Sequence, residues 1–185
     1  MIKYTYTLIF LMMVSTTFGQ HDHPLVQDTS KHASTPKSPR LETMQMVGSN
    51  HVHIDYGSPS VRGRVIWNGL VSYNQTWPAG AHSATSITFS EDVSIDGTTI
   101  PKGKYGFFII PDKKLWTLII NKSWNMHLAD DYKKENDLVR IKQKPVKRKT
   151  ISESLRYDIK STKSGYGVIT MSWEYLTISF EFKNK

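Results

Sequence analysis

The sequence of 185 residues contains no cysteine. Disulfide bonds, thiolate-ligated metal centres and a catalytic thiol are therefore excluded, and so is the cysteine-linked lipid anchor of exported bacterial proteins. Long apolar runs are also missing, since none reaches the roughly 20 residues that a membrane-spanning helix needs. We therefore expect no transmembrane segment in the mature chain. Stability must come from a hydrophobic core, for which the chain is long enough.

Catalytic motifs are missing as well. The sequence has no Gly-x-Ser-x-Gly elbow for a nucleophile and no glycine-rich phosphate loop before a helix. Its Asp and Glu residues are scattered over predicted loops, so no pair suited to glycoside cleavage can be selected. We expect no cofactor and favour a binding protein over an enzyme, although the sequence alone does not decide between them.

The N-terminus has the layout of a secretory signal peptide. Lys3 supplies a positive charge, an apolar run covers residues 8–14, and small residues, among them Gly19, precede the expected cut. Residues 20–39 are rich in His, Ser, Thr and Pro, which is typical of a disordered leader. We therefore expect a periplasmic or secreted protein with a signal peptide at 1–19, a leader at 20–39 and one β-rich domain at 40–185.

Short strands dominate the predicted domain. Polar and apolar residues alternate over 51–56 and 86–89, as in half-buried strands, and the Asp-Gly pair at 96–97 is a hairpin-turn signal. Further strands are predicted at 93–95, 105–110, 116–120, 139–142, 151–159, 167–173 and 176–182. Helical signals are limited to short turns near 63–70 and 130–136. The predicted fold is all-β, a single β-sandwich-like domain with short helical turns.

Large apolar side chains within these strands define the predicted core. Continuous apolar runs such as 116–120 are typical of strands that are covered on both faces. Alternating runs such as 176–182 bury one face. The side chains that we expect to be buried on this basis are Trp116, Ile119, Phe180 and Phe182.

One segment carries a specific motif. Residues 56–71 read YGSPSVRGRVIWNGLV, with Pro59, Gly63, Arg64 and Trp67 as its most specific positions. The motif continues as WPAGAHSAT at 77–85, GKYGFFIIP at 103–111, WT at 116–117, NK at 121–122 and WE at 173–174. From about residue 38 to its C-terminus, the chain resembles the bacterial domain-of-unknown-function family 2911. The resemblance implies export, a β-rich fold and a bacterium with an outer membrane, but no reaction.

The chain departs from the family pattern in one stretch. Where the family usually reads Trp-Arg-x-Gly-Ala-Asn-Glu-Ala, this chain has Pro78 in place of Arg, His82 in place of Asn and Ser83 in place of Glu. If the family Arg and Glu form a polar site, that site is lost or rebuilt here. No activity is therefore carried over from the family.

Histidines form two candidate metal sites. His51 and His53 are two residues apart on a predicted strand, so both point to its solvent face, and such a pair can hold Zn or Cu. In the leader, residues 21–23 read His-Asp-His and could wrap Cu or Ni after a cut at Gln20, with Met44 and Met46 as soft ligands. We assign neither as a metal site, because no clear third ligand is near the pair and the leader spacing depends on the cut.

Arginine and aromatic residues supply further candidates. Two arginines that flank Gly63 could hold carboxylates or sulfates, and three tryptophans could stack on a sugar ring or simply fill the core. Two histidines lie near tryptophans in the sequence. The candidate binding residues of this group are Arg62, Arg64, Trp67, Trp77, His82, Tyr105, Trp124 and His127.

Positive charge is concentrated in one segment. The formal net charge is +8, and residues 133–163 hold eleven Lys and Arg against four Asp and Glu. Such a patch attracts polyanions, although it could equally be a solvated loop that aids solubility. An anionic glycan or a lipid headgroup is the expected partner outside the cytoplasm, and nucleic acid is not. The candidate binding residues are Lys144, Lys147, Arg148 and Lys149.

Three functions remain open from the sequence. The first is an exported accessory or binding protein that engages anionic polysaccharide or another polyanion. The second is a carbohydrate-active hydrolase or lyase with a site around Arg64, His82 and Tyr105. The third is copper or nickel handling through the His-rich leader. The ligand and the oligomeric state are left open by all three.

Overall fold

The computed structural model describes residues 37–185, so the predicted signal peptide and nearly all of the predicted leader lie outside the described residues. Within 37–185 the chain forms ten strand elements and one short 3₁₀ helix, Lys134–Asn136. The strands are β1 (Arg40–Val47), β2 (Asn50–Gly57), β3 (Thr85–Phe89), β4 (Val93–Ile95), β5 (Thr98–Ile100), β6 (Gly103–Ile110), β7 (Trp116–Asn121), β8 (Asp137–Gln143), β9 (Val146–Lys163) and β10 (Tyr166–Asn184). No helix in these residues is long and apolar enough to cross a membrane.

Two antiparallel sheets enclose the core. One has the strand order β1-β2-β3-β6-β7-β8, and the other has the order β5-β4-β10-β9. The main hydrophobic cluster joins side chains of both sheets, such as Ile54 and Phe107 of the first and Met171 of the second. The predicted all-β sandwich is therefore confirmed.

The predicted core side chains are buried. Trp116, Phe180 and Phe182 belong to the main cluster between the sheets. Ile119 is also fully buried, but it belongs to a smaller cluster with Phe108 on the other face of the six-stranded sheet. Segments around Ala84 and Met126 complete that smaller cluster, which explains why β6 and β7 read as continuous apolar runs rather than alternating ones.

The element β10 turns back on itself. Thr170 Oγ1 and Ser179 Oγ are 3.0 Å apart although nine residues separate them in sequence, whereas an extended strand would place them about 30 Å apart. The backbone N–H of Asn184 also donates to Gly165 O at 2.7 Å. The turn lies at Glu174, whose φ is 54°. The two halves of β10 therefore correspond to the two strands predicted at 167–173 and 176–182.

The segment 58–84 connects β2 to β3 without strand or helix of any length. Side-chain and backbone hydrogen bonds hold it on the sandwich: Ser58 Oγ donates to Leu155 O at 2.7 Å, and Trp77 N donates to Ile109 O at 2.8 Å. The helical turn predicted at 63–70 is wrong. Arg62 and Asn68 have φ values of 50° and 59°, and left-handed residues interrupt a right-handed helix. The turn predicted at 130–136 contains the 3₁₀ helix.

Candidate functional site

Within residues 37–185, four lysines line one open cavity of about 450 Å³, which we name the lysine cleft. Lys113 and Lys114 lie in the turn between β6 and β7, Lys144 lies between β8 and β9, and Lys147 lies at the start of β9. All four side chains are exposed. Two separate stretches of sequence, 113–114 and 144–147, therefore place positive charge around the same space.

Strand pairing explains this convergence. Strands β7 and β8 are antiparallel, with Trp116 opposite Gln143. The residues before Trp116 and those after Gln143 therefore lie at the same end of these two strands. The start of β9 pairs with the second half of β10, where Lys147 lies opposite Leu176. Topology therefore brings the two lysine pairs together.

The lining of the cleft is partly aromatic and apolar. Tyr73, Leu176 and the edge of the buried Trp116 contribute to it. The Trp116 indole N–H donates to Asp112 O at 2.7 Å, which fixes the turn that carries Lys113 and Lys114. Among the described residues that line the cleft, Asp112 alone is acidic, and its carboxylate accepts the backbone N–H of Lys113 at 2.6 Å. A cationic rim over an apolar lining suits a negatively charged ligand that also has an apolar face.

The rest of the basic segment faces a different surface. Arg148 lines a second open cavity, of about 520 Å³, together with Arg156 and Lys160 from the outer face of β9. Asp158 also lines it and offsets part of this charge. Lys149 is exposed and lines neither cavity. The structure therefore separates the four basic candidates, and Lys144 and Lys147 are the two that line the cleft.

Four of the five tryptophans pack together. The Trp67 ring lies 4.5 Å from Trp116, 5.8 Å from Trp173 and 5.9 Å from Trp77, measured between ring centroids. The Trp67 indole N–H donates to Glu174 Oε2 at 3.1 Å. Trp67 and Trp77 are therefore partners in a packed cluster.

Trp124 lies elsewhere. It lines a small cavity of about 180 Å³ with Arg40 and Lys104, and the Lys104 ammonium lies 4.2 Å from the centroid of its ring. A lysine thus already occupies one face of the indole. The three tryptophans considered for sugar stacking do not form one surface.

A further cavity, of about 300 Å³, adjoins the cluster and is named the tryptophan cavity here. Trp77, Trp173, Arg64 and His82 line it, together with apolar side chains that include Leu128. The Trp173 indole N–H is buried and has no hydrogen-bond partner among residues 37–185. A buried donor without a partner costs about 1–3 kcal/mol, so this group is available to a ligand that offers an acceptor.

The arginine candidates mainly organise the segment around them. The Arg64 guanidinium donates to Val61 O and Ser60 O, and the Arg62 guanidinium donates to Lys37 O at 2.8 Å. Each still has donors to spare, because a guanidinium carries five. Of the two, Arg64 lines the tryptophan cavity.

Tyr105 lies apart from Arg64 and His82. Its ring is buried in the main core, and its hydroxyl donates to Pro101 O at 2.6 Å. Burial, reinforced by the nearby Asp92, raises the pKa of Tyr105. The enzyme site expected around these three residues is therefore not assembled in one cavity.

The histidine candidates lie in two loops that pair with each other. Leu128 N donates to His82 O at 2.6 Å, and Ser83 forms a bridge with His127. His127 Nδ1 lies 3.4 Å from Asp130 Oδ2. Of the positions at which this chain departs from the family pattern that it resembles, His82 lines the tryptophan cavity, whereas Ser83 lines the small cavity beside Trp124.

Lys113, Lys114 and Tyr73 are the site residues that sequence reasoning missed. The two lysines lie between the strands predicted at 105–110 and 116–120, and Tyr73 carries no signal of its own. The sequence did contain one signal. Two adjacent lysines lie in the connection between two predicted strands, and the connection after the next predicted strand, 139–142, is also rich in lysine.

Few side chains among the described residues are arranged to hold a metal ion. Among residues 37–185, no three His, Asp or Glu side chains form a cluster that could hold a metal ion. His51 and His53 share the solvent face of β2 as predicted, since Val52 and Ile54 are fully buried, and their ring centroids are 6.5 Å apart. The His-Asp-His sequence at 21–23 lies outside the described residues.

Comparison with known proteins identifies a family. No curated protein and no solved structure matches the chain. One family model matches residues 38–182, a span that includes the motif at 56–71 and the lining of both the lysine cleft and the tryptophan cavity. The resemblance inferred from the motifs is confirmed, and the chain belongs to the family described as "Protein of unknown function (DUF2911)".

Proposed function

We propose that this protein is an exported binding protein that holds an anionic polysaccharide in the lysine cleft, either in the periplasm or outside the cell. One observation carries the proposal: two pairs of lysines from separate stretches of sequence, 113–114 and 144–147, converge on one open cavity whose lining is partly aromatic. A uronate or sulfated sugar has the matching chemistry, because its acidic groups suit the ammonium ions and its ring face suits Tyr73 and Leu176.

Electrostatics favours a polymer over a single sugar. The four ammonium groups are carried by flexible, exposed side chains, and each isolated contact with an anion is worth only about 0–1 kcal/mol. Several contacts made at once add up, and a chain of regularly spaced acidic groups can make them together. The cleft is open rather than enclosed, so it can accept the interior of a chain as well as its end.

The chemistry of the lining favours binding over cleavage. Glycoside hydrolysis uses two carboxyl groups on either side of the scissile bond, and Asp112 is the one carboxylate among the described residues lining the cleft. The tyrosines whose pKa values are raised, Tyr105, Tyr132 and Tyr157, keep their protons at neutral pH and do not act as bases there.

Retention on an immobilised polyuronate column, eluted with a salt gradient, tests the proposal. The cleft variant replaces with Gln the residues Lys113, Lys114, Lys144 and Lys147. The matched control variant replaces with Gln the residues Arg148, Lys149, Arg156 and Lys160. Both lose four positive charges, so they differ only in where the charge is removed.

We expect the wild-type protein to bind at low salt and to elute as the Debye length falls towards about 8 Å. The cleft variant should elute with little retention, whereas the control variant should stay close to wild type. Equal loss in both variants would show that diffuse charge causes retention, and greater loss in the control variant would move the site to the outer face of β9. Either result would overturn the assignment to the cleft.

A second candidate is a neutral sugar or another ring-shaped ligand in the tryptophan cavity. The observation in its favour is that Trp173, whose buried N–H has no hydrogen-bond partner among the described residues, is one of the residues that line that cavity. Binding there would be insensitive to salt and would change the fluorescence of the tryptophan cluster. The variant Trp173→Phe removes the N–H while keeping an aromatic ring, so it should weaken such binding and leave retention on the polyuronate column unchanged.

A further inference from the structure

Two methionines and two histidines share the solvent face of the β1–β2 hairpin. In the strand register, Met44 lies opposite His53 and Met46 lies opposite His51. Both methionines are about half exposed, at 57% and 48% of their full accessible area. We name these four residues the His–Met patch.

The geometry of a β-ladder brings the four side chains within reach of one ion. Directly opposed residues of an antiparallel pair have Cβ atoms about 4.5–5.5 Å apart and point to the same face. Along β2, the two imidazole rings have centroids 6.5 Å apart. The fully buried Val52 and Ile54 show which face of β2 is turned to the core. Two imidazoles and two thioethers therefore stand on one small area of the opposite face.

The patch is unusual for the edge of a sheet. Strand β1 ends the order of the six-stranded sheet, and edge strands are normally protected by charged side chains rather than by methionines. Moreover, the Nε2 atom of His53 is almost inaccessible and has no hydrogen bond among the described residues. It lies 3.4 Å from Glu42 Oε2 without the geometry of a hydrogen bond. A ring nitrogen that makes no hydrogen bond can bind an ion once the exposed Glu42 side chain beside it moves aside.

We propose that the His–Met patch binds a single Cu(I) ion. Thioether sulfur is a soft ligand that selects Cu(I), and imidazole binds copper well. No electron transfer is involved, because the ion enters and leaves in the same oxidation state.

This site differs from the copper or nickel site considered for the leader. The leader histidines lie at 21–23, outside the described residues, and a site of terminal amine, backbone amides and imidazole suits the square-planar ions Cu(II) and Ni(II). The His–Met patch instead suits Cu(I). The two sites can therefore be separated by oxidation state and by mutation.

The test is an anaerobic titration of the full chain with Cu(I) in competition with a chromophoric Cu(I) chelator. The double variant Met44→Leu, Met46→Leu keeps the apolar surface and removes both sulfur atoms. The control variant His21→Gln, His23→Gln leaves the patch intact. We expect the wild-type protein to bind one Cu(I), the methionine variant to bind it more weakly by about tenfold or more, and the leader variant to match wild type.

Proton NMR of the histidine rings provides a second readout that does not depend on the chelator. Addition of Cu(I) should shift the ring signals of His51 and His53, and the shifts should be lost in the methionine variant at equal metal concentration. Equal affinity of wild type and the methionine variant would overturn the proposal. So would loss of binding in the leader variant, since it would move the site to the leader.

Discussion

Trp116 connects the core to the lysine cleft. It is 1% exposed, its ring centroid lies 4.5 Å from that of Trp67, and it forms part of the cleft lining. We expect Trp116→Ala to lower the free energy of unfolding by roughly 3–5 kcal/mol, because truncation of a buried aromatic residue removes its packing and leaves a cavity. Urea denaturation followed by circular dichroism would measure the change.

Trp124 is the matched control for that measurement. It is the most exposed of the tryptophans, at 39%, and its main partner is the Lys104 ammonium over its ring. Trp124→Ala should cost less than about 1 kcal/mol, as surface substitutions usually do. A loss below about 1 kcal/mol for Trp116→Ala would mean that this ring is not packed as described.

Tyr132 should make stability depend on alkaline pH. Burial, together with the hydrogen bond to Asp137, raises the pKa of Tyr132 to about 12. The unfolded chain ionises this tyrosine near pH 10, so its contribution to stability is complete below pH 10 and is lost as the pH rises towards 12. The free energy of unfolding of Tyr132→Phe should therefore fall less steeply over that range than that of wild type.

Tyr175→Phe is the control for the alkaline measurement. It removes one tyrosine hydroxyl from a side chain that is 46% exposed, so a change of slope seen in both variants would not be specific to Tyr132. If Tyr132→Phe and wild type had equal slopes, burial and the hydrogen bond to Asp137 would not raise the pKa of Tyr132 as described.

Single residues also mark the limit of sequence reasoning. A tryptophan that binds a sugar and one that packs in the core look alike in a sequence. The pattern of polar and apolar residues around Trp67 and Trp77 is too irregular to distinguish the two cases. Packing decides it, because rings that are far apart in sequence, Trp116 and Trp173, approach within about 6 Å of them.

At the scale of elements, β10 depends on one glycine. A Cβ atom placed on Gly167 would lie 2.3 Å from the ring of Phe182, which packs over it from the other half of the hairpin. Since Phe182 is 1% exposed, the ring has little room to move. Gly167→Ala should therefore lower the free energy of unfolding by about 1–3 kcal/mol, the range for an overpacked core.

Thermal and urea unfolding would measure the effect of Gly167→Ala. The control is Ser161→Ala, at the exposed position of β9 that pairs with Gly167, and it should change stability by less than about 0.5 kcal/mol. Equal stabilities of the two variants would contradict the proposed folding back of β10, because only that arrangement brings Phe182 over Gly167.

Most elements could be predicted because they bury one face or both. Alternation marks β2 and β3, and continuous apolar runs mark β6 and β7. Strand β1 was missed because it is an edge strand with exposed residues on both faces, including Leu41, Met44 and Met46. A strand that buries little has no period to detect.

The segment 58–84 resisted prediction for a different reason. It is ordered by hydrogen bonds to residues far away in sequence, such as Val61 N to Glu153 O at 2.7 Å, and by left-handed residues that are not glycine, among them Ala79 and His82. Neither feature leaves a periodic trace in the sequence. The motif of this segment therefore indicated its family but not its conformation.

At the scale of the whole molecule, the candidate site was only half predictable. The charge excess of residues 133–163 indicated Lys144 and Lys147. The pairing of β7 with β8 brings Lys113 and Lys114 close to them. The sequence alone did not predict that the turn before β7 lies beside the start of β9. Residues 133–163 were also expected to form one basic surface. Successive side chains of β9 point to opposite faces, however, so Arg148 lines the other cavity.

The proposed export concerns the chain as a whole. From the charged start, the short apolar run and the small residues before position 20, we expect the exported protein to begin at Gln20 or His21. Mass spectrometry of the protein recovered outside the cytoplasm would measure its N-terminus. Recovery there of a chain that still begins at Met1 would contradict the signal-peptide prediction.

The central claim is that an acidic saccharide binds in the lysine cleft, and calorimetric titration with a short uronate oligosaccharide tests it most directly. The cleft variant for this test is Lys144→Glu, Lys147→Glu. Its control is Lys133→Glu, Lys134→Glu, which reverses two exposed charges of the same basic segment outside the cleft. Each protein is titrated at about 0.01 M and about 0.15 M ionic strength, where the Debye lengths are about 30 Å and about 8 Å.

We predict that the wild-type protein binds the oligosaccharide and loses affinity as the salt concentration rises. The cleft variant should bind at least about tenfold more weakly at both salt concentrations. The control should differ from wild type by less than about twofold at the higher salt concentration, where its distant charges are screened. No binding by the wild-type protein, or equal losses in the cleft variant and the control, would contradict the claim.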